Sequence, residues 1–209
     1  MGRKNGIVTI LTIFLLVVSM IFYNSFLSQN SKKLTTNTIT KNQNLSTKRF
    51  SLKEAYLLAL KEAMNWNKDS KLVLITSVDD DEREFSGVSG KRKKWNLIFA
   101  NLSAEETLQI SIDNGEVKKF PINKEKTMAN VIIDFDSIKV DSTEIIEKAK
   151  KDFKLKPGID WANGFHFSLM NNGKQTFMTV TGLNQDNKFT QIYYDSKTGT
   201  CIGSKVQLN

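Results

Sequence analysis

A helix-start pattern that leads directly into an apolar helical stripe occurs in both halves of this chain, and it restricts the fold more than any other feature of the sequence. Ser51 is followed three residues later by Glu54, and Asp141 is followed three residues later by Glu144. A Ser or Asp N-cap with Glu at this spacing forms a capping box, in which each side chain bonds a backbone N–H that the helix leaves without a partner. The sequence therefore predicts two helices that begin in the same way.

Each helix start is followed by an apolar helical stripe and then by strands of period two. The stripes consist of Leu52, Ala55, Tyr56, Ala59, Leu60 and Ala63 in the first copy, and of Ile145, Ile146, Ala149 and Phe153 in the second. The strands contain Leu72, Leu74, Thr76 and Val78, then Trp95, Leu97 and Phe99, then Leu108, Ile110 and Ile112; their counterparts contain Phe165, Phe167 and Leu169, then Phe177 to Val180, then Ile192 to Tyr194. These spacings predict an α+β fold with two tandem units, each one helix packed on a small antiparallel sheet.

The predicted organisation has six parts, beginning with a membrane segment. They are a cytoplasmic tail at 1–6, a signal anchor or transmembrane helix at 7–27, a flexible linker at 28–49, a first repeat at 50–120, an inter-repeat segment at 121–140 and a second repeat at 141–209. A unit of about 70 residues is near the lower limit for a stable core, so we expect the repeats to pack together. Residues 131–133, Val-Ile-Ile, are a candidate joining strand.

The amino-terminal prediction depends on an uncharged apolar run. Ile7–Tyr23 contains no charged residue and follows Arg3 and Lys4, which is the layout of a signal peptide or signal anchor. Extended to Leu27, the run is long enough to cross a hydrocarbon layer of about 30 Å. The sequence after Tyr23 lacks a small-x-small cleavage pattern, which favours retention. The basic residues before the run predict a cytoplasmic amino terminus and an extracellular folded part.

The net charge of +8 is concentrated in the amino-terminal region. Of the 30 basic and 22 acidic side chains, seven basic and no acidic ones lie within residues 1–50. The remainder of the chain is therefore close to neutral. Because a domain that binds a phosphate backbone needs a basic face of its own, we do not expect nucleic-acid binding.

Two residue types that often carry chemistry occur once each. His166 alternates with Phe165 and Phe167, so we expect it on the solvent face of its strand if the two phenylalanines face the core. Cys201 excludes an intramolecular disulfide and an all-cysteine metal site, because each needs more than one cysteine. It aligns with Val117 of the first copy, which predicts a small packed side chain.

An acidic cluster is followed closely by a basic one. The acidic residues are Asp79, Asp80, Asp81, Glu82 and Glu84, and the basic residues are Lys91, Arg92, Lys93 and Lys94. An EF-hand requires Gly at its sixth position and Glu at its twelfth, whereas counting from Asp79 gives Glu84 and Gly90. The sequence predicts mutual charge pairing across a solvated loop, with a partner-docking loop as the alternative.

Two further aspartates stand at predicted hairpin turns. Asp113 precedes Asn114-Gly115, and Asp195 begins the longer turn that ends at Gly199. Asp accepts a hydrogen bond from a backbone N–H two residues on, and Gly adopts the positive φ that such turns require. Turn formation explains both aspartates, and the sequence predicts no catalytic, cofactor-binding or metal-binding residue.

The order of these segments resembles a known domain. The SLKEAYLLALKEA helix, the WNLIF strand and the endings ISIDNGEV and IYYDSKTG resemble the PepSY domain over about residues 50–120 and 135–207. An anchor followed by two such copies is similar to the TseB-like cell-wall elongation regulators. That resemblance implies binding to other proteins, typically envelope enzymes. The broader PepSY group includes peptidase propeptides, which implies inhibition of proteases.

Together these patterns predict a membrane-anchored extracytoplasmic binding module without catalytic activity or cofactor. Its predicted partner is an envelope protein of cell-wall synthesis or remodelling, and its N-terminal helix is predicted to attach it to the membrane. Two alternatives remain from the sequence: a modulator of exported proteases and an uncharacterised envelope enzyme.

Overall fold

Nine antiparallel strands form one continuous sheet in the computed structural model, which describes residues 48–80, 86–159 and 162–207. The helices are α1 (Leu52–Trp66) and α2 (Ser142–Phe153). The strands are β1 (Lys71–Ser77), β2 (Lys94–Asn101), β3 (Glu106–Asp113), β4 (Glu116–Lys119), β5 (Asn123–Lys124), β6 (His166–Asn171), β7 (Thr176–Leu183), β8 (Phe189–Asp195) and β9 (Cys201–Val206). Their order across the sheet is β4-β3-β2-β1-β6-β7-β8-β9, and β5 pairs with β3.

The centre of the sheet joins the first strands of the two predicted repeats. β1 and β6 are antiparallel, with Ile75 opposite Leu169 and Thr76 opposite Ser168. In separate units each strand would be an edge with a row of unpaired backbone groups, which pairing between the repeats satisfies. The predicted fold class of two helix-on-sheet units is therefore wrong, because the strands of both halves belong to one nine-stranded sheet.

The predicted fold class also included an N-terminal transmembrane helix, and the described residues provide no such element. Within 48–80, 86–159 and 162–207, no helix is long and apolar enough to span a bilayer. The longer of α1 and α2 has 15 residues, whereas a span needs about 20. The predicted tail at 1–6, the segment 7–27 and the linker as far as residue 47 lie outside the described residues.

One face of the sheet forms the core against both helices. A row of directly paired side chains crosses six strands, each at most 1% exposed: Ile110, Leu97, Ile75, Leu169, Met178 and Tyr194. Buried residues of α1 and α2 belong to the same hydrophobic cluster as this row. Burial of this continuous apolar face is the main force that holds the two halves together.

Both predicted capping boxes are confirmed. Ser51 Oγ accepts a hydrogen bond from Glu54 N at 3.3 Å, and Glu54 Oε2 accepts one from Ser51 N at 2.7 Å. Asp141 and Glu144 form the same reciprocal pair at the start of α2. The local sequence therefore sets where each helix begins.

The two helix starts also contact each other. Ser142 Oγ accepts a hydrogen bond from Leu52 N at 2.9 Å, and Asp141 Oδ1 accepts one from Lys53 N at 3.1 Å. Gly90 allows this approach: its φ is +79°, and a Cβ there would lie 2.5 Å from Thr143 Cα. Each helix start thus depends on the other half of the chain.

Residues 131–133 do not form the predicted joining strand. The chain instead makes two short 3₁₀ helices, Ala129–Val131 and Phe135–Ser137, with a single bridge between Leu72 and Ile133. Asn171 Nδ2 donates to Ile132 O at 3.0 Å. Single hydrogen bonds, rather than the continuous ladder of a strand, therefore connect this segment to its neighbours.

Candidate functional site

A fully buried arginine lies where β1 leaves the sheet. Arg92 Nη2 donates to Asp79 Oδ1 at 3.2 Å and to Val78 O at 2.9 Å, and Nη1 donates to Asn163 O at 2.9 Å. Arg92 Nε lies 3.7 Å from Asp80 Oδ2. We call Asp79, Asp80, Arg92, His166 and Ser77 the polar joint, because they connect the first half of the chain to the second.

Two opposing effects act on the pKa of the Arg92 guanidinium. Burial lowers the pKa of its guanidinium, and the carboxylates of Asp80 and Asp79 act in the opposite direction. Ser86 Oγ donates to Asp80 Oδ2 at 2.7 Å, so this carboxylate is itself held in place. The predicted charge pairing is present for Asp79 and Asp80, but the predicted solvated setting is wrong, because the side chains of Arg92 and Asp80 are 0% and 1% exposed. The acidic residues Asp81, Glu82 and Glu84 lie outside the described residues.

The predicted solvent-facing histidine belongs to this polar joint. His166 Nε2 lies 2.8 Å from Asp79 Oδ1, and His166 Nδ1 lies 3.3 Å from Ser77 Oγ. Phe165 and Phe167 are both buried, so His166 lies on the opposite face of its strand as predicted. Its side chain is only 18% exposed, however, so the expectation of a solvent-exposed histidine was wrong. The missed signal was Asp79, which lies two residues after the end of β1 and therefore close to β6 once these two strands pair.

A Ser-His-Asp arrangement raises the question of a nucleophile. Ser77 is only 6% exposed, and its Oγ accepts a hydrogen bond from Phe167 N at 2.9 Å. A nucleophilic serine must instead present its oxygen to a substrate beside a base that can take its proton. The geometry therefore describes a structural link between β1 and β6.

Turn formation accounts for Asp195 as predicted. Its Oδ1 accepts hydrogen bonds from Lys197 N and Thr198 N, both at 2.9 Å, and Gly199 has a φ of +65°. The bond from the Thr198 N–H is the main cause that lowers the pKa of Asp195. Asp113 lies 3.9 Å from Lys94 Nζ, beside a turn in which Asn114 and Gly115 both have positive φ.

Cys201 is exposed, so the predicted packed position is wrong. Its Sγ lies 3.6 Å from Gly203 O. Val117, its predicted counterpart, is partly buried against the core. Among the described residues, no group of three His, Cys, Asp or Glu side chains is placed to hold a metal ion.

The sheet face opposite the helices carries an apolar row that the sequence analysis did not identify. Ile98 pairs with Leu74, Leu74 with Met170, and Met170 with Phe177, and all four are half-buried. We call these four residues the open-face stripe. By strand alternation they point away from the buried row that contacts α1 and α2. The sequence indicated this row by apolar residues at consecutive strand positions, such as Leu97 and Ile98. Consecutive residues of a strand face opposite sides of the sheet, so both faces are apolar there.

A polar row lies alongside the stripe. Asn96, Thr76, Ser168 and Thr179 are directly paired across four strands in that order. At the β8 end, the ring of Phe177 meets Tyr193 edge-on at 5.7 Å. The two rows together give this face an apolar strip with a polar row beside it, in which Asn96 and Thr179 are buried.

Comparison with known proteins identifies a similar fold and no family. No protein family model matches this chain, and no curated protein matches it. The crystal structure of a predicted lipoprotein from Clostridium difficile 630 has a TM-score of 0.53 and 16% sequence identity, over 80% of this chain and 100% of that one. At this identity the likeness establishes the fold alone. The resemblance to PepSY domains and TseB-like regulators gains no family match and stays a prediction.

Proposed function

We propose that this protein is a non-catalytic binding module of the cell envelope, and that it docks on another envelope protein through the open-face stripe. The stripe is the observation that carries the proposal. Contiguous apolar side chains on a sheet face opposite its helices are typical of surfaces that another protein covers.

The stripe is well suited to binding because neighbouring strands fix the backbone beneath it on both edges. Leu74 and Met170 lie on the two central strands β1 and β6, and each of these strands is paired along both edges. Ordering flexible groups reduces affinity, so a pre-ordered apolar row loses little free energy on docking. Beside it, the Thr76 hydroxyl donates to Ser77 O and the Ser168 hydroxyl bonds the Thr179 hydroxyl, so a partner that covers this face leaves neither hydroxyl without a hydrogen bond.

Two observations support the envelope location. The sequence from Ile7 to Tyr23 is apolar and uncharged and follows Arg3 and Lys4, as in exported proteins. The protein of similar fold from Clostridium difficile is a predicted lipoprotein, and lipoproteins are attached to the envelope. The proposed partner is accordingly a protein of the same compartment.

Site-specific photo-crosslinking in cells tests the docking face. A photoreactive residue at Met170 should join this protein to one envelope protein, whereas the same residue at Leu57 should not. Leu57 is a matched control because it is apolar and 63% exposed but lies on α1, on the other side of the sheet. Equal yields from both positions, or no envelope protein from Met170, would contradict the proposal.

Charge introduced into the stripe gives a second readout. Met170→Lys and Ile98→Lys should each reduce recovery of that partner at least tenfold, since a lysine ammonium would be desolvated at the interface. Leu57→Lys should leave recovery unchanged. Far-UV circular dichroism should be the same for all three variants, which separates lost binding from lost folding.

A further inference from the structure

The two edges of the sheet are built differently. At one edge, Val117 of β4 packs against the core and Lys119 Nζ forms an ion pair with Glu62 of α1 at 2.9 Å. At the other edge, all six residues of β9 are exposed. Proteins usually shield edge strands by covering them, shortening them or charging them. In the described part of the chain, β4 is shielded in this way, whereas β9 stays exposed and its edge is interrupted by a register shift against β8 between Cys201 and Gly203.

The exposed side chains of β9 include two large apolar groups. Ile202 and Val206 are 43% and 38% exposed. Val206 pairs with Thr190 and Ser204 pairs with Ile192, so these two residues follow the parity of the buried face. Ile202 lies where the register between β8 and β9 shifts, two residues before Ser204. The apolar core surface therefore continues onto β9 at Val206.

The backbone of β9 offers hydrogen-bonding groups to a further strand. Gln207 N donates to Phe189 O at 2.8 Å, in register with the pairing of Val206 and Thr190. Antiparallel pairs alternate between residues that exchange backbone bonds and residues that do not. Ser204 and Val206 therefore direct their N–H and C=O groups away from β8.

We propose that β9 pairs antiparallel with β9 of a second copy of this chain, with Ser204 facing Ser204 on a two-fold axis. The strand is self-complementary in this register, because Ile202 of each copy then lies opposite Val206 of the other. A two-fold interface requires such self-complementarity. The two Ser204 residues exchange two backbone hydrogen bonds, and Ile202 of each copy meets Val206 of the other.

The opposite side of the strand is also compatible with this register. Lys205 lies opposite Gly203 of the second copy, and a Cβ at Gly203 would meet no atom within 4 Å. Tyr193 is the register partner of Gly203 on β8. The lysine of one copy can therefore extend over the tyrosine ring of the other, an attraction between a cation and an aromatic face. In this register Lys205 therefore faces an aromatic ring, and the two Lys205 side chains of the dimer do not face each other.

A second copy explains these observations better than an extended segment of another protein. An unrelated segment would need only free backbone groups, whereas the order Ile-Gly-Ser-Lys-Val gives matched side chains on both faces only when it meets itself. The pairing is independent of the partner proposed for the open-face stripe. Because the contact involves one strand from each copy, it is small for a protein interface, and we expect a concentration-dependent dimer.

Cysteine crosslinking in the full chain tests the register. With Cys201→Ser as background, Ser204→Cys should give a disulfide-linked dimer on mild oxidation, since Cα atoms in a bonded pair lie about 5.5 Å apart. Val206→Cys alone should stay monomeric, because its counterpart lies four residues along the strand, roughly 13 Å away. Ile202→Cys combined with Val206→Cys should restore the dimer.

Any of the following results would overturn the proposed pairing of β9 with β9 of a second copy. A Ser204→Cys chain that stays monomeric removes the edge contact between copies. Equal crosslinking by Val206→Cys alone indicates random collision rather than this register. Adducts of Ser204→Cys with other proteins, without the dimer, assign the edge to an extended segment of a different partner. Thermal unfolding of each variant checks folding, which these exposed positions should leave unchanged.

Discussion

Ser142 Oγ accepts a hydrogen bond from the Leu52 backbone N–H at 2.9 Å and donates one to Gly90 O at 2.7 Å. The first residue of α2 thus completes the cap of α1, although α1 already has its own capping box. Both bonds are buried. This side chain therefore connects three segments that are distant in sequence, and its loss exposes a donor and an acceptor at once.

Ser142→Ala should destabilise the folded unit by about 1–3 kcal/mol, because Leu52 N and Gly90 O would each lose a buried partner. Thr143→Ala, one residue further along the same helix, should cost less than about 0.5 kcal/mol. Urea unfolding followed by circular dichroism measures both. Equal losses for the two variants would show that the contact between the helix starts contributes nothing specific.

Arg92→Ala should be the more severe change, about 3–5 kcal/mol, because it leaves Asp80 buried without its cation and several carbonyls without a donor. Arg92→Lys should recover only part of this loss. Lysine restores a cation, but one ammonium cannot reach acceptors on both sides of the position that the guanidinium occupies. Lys91→Ala is the control: its ion pair with Glu54 is exposed, so its removal should cost at most about 1 kcal/mol. A mild effect of Arg92→Ala would contradict the described burial.

The contact between His166 and Asp79 should appear as a coupling energy. His166→Ala and Asp79→Asn are expected to be non-additive by about 1 kcal/mol, since the atoms of the pair lie 2.8 Å apart. The stability of the wild type, both single variants and the double variant gives this value. As a control, His166→Ala with Lys91→Ala should be additive. Additivity in the first cycle would rule out the direct bond.

Tyr194→Phe should not reduce stability at neutral pH. The hydroxyl is buried and no described residue accepts or donates a hydrogen bond there, so its removal should leave stability equal or raise it by about 1 kcal/mol. A loss larger than about 1 kcal/mol would show that the hydroxyl has a partner.

The same residue gives a pH dependence. Burial raises the pKa of Tyr194 above its ordinary value, so the unfolded chain loses this phenol proton first, once pH passes the unfolded pKa of about 10. The free energy of unfolding is unaffected by this group below that pH and falls as pH rises from this value through the folded pKa. Tyr194→Phe should therefore lose less stability between pH 7 and 10.5 than the wild type does. Denaturant titrations at the two pH values measure the difference.

Local patterns in the sequence predicted local structure well. The capping boxes at Ser51 and Asp141 mark the starts of the two described α-helices. Alternation correctly placed Trp95, Leu97 and Phe99 on one buried face. These features depend on residues within a few positions of one another, so their physical causes are contained in short stretches of sequence.

The long-range arrangement could not be read in the same way. The pairing of Ile75 with Leu169 joins residues far apart in the chain, and any two apolar strands of similar length satisfy the same local rules. The polar joint was missed for this reason, because Asp79 and His166 become neighbours only after that pairing is known. The open-face stripe was missed because apolar residues at one parity had already been assigned to the core.

The central pairing of β1 with β6 has a consequence for how the protein folds. Contacts between distant segments form slowly, because a long loop must close before they stabilise the chain. Each half can assemble its own hairpins first, which leaves β1 and β6 as temporary exposed edges. If two chains meet at that stage, β1 of one can pair with β6 of the other and form a domain-swapped species. Refolding at high concentration is therefore expected to yield exchanged dimers that dilution reverses only through unfolding.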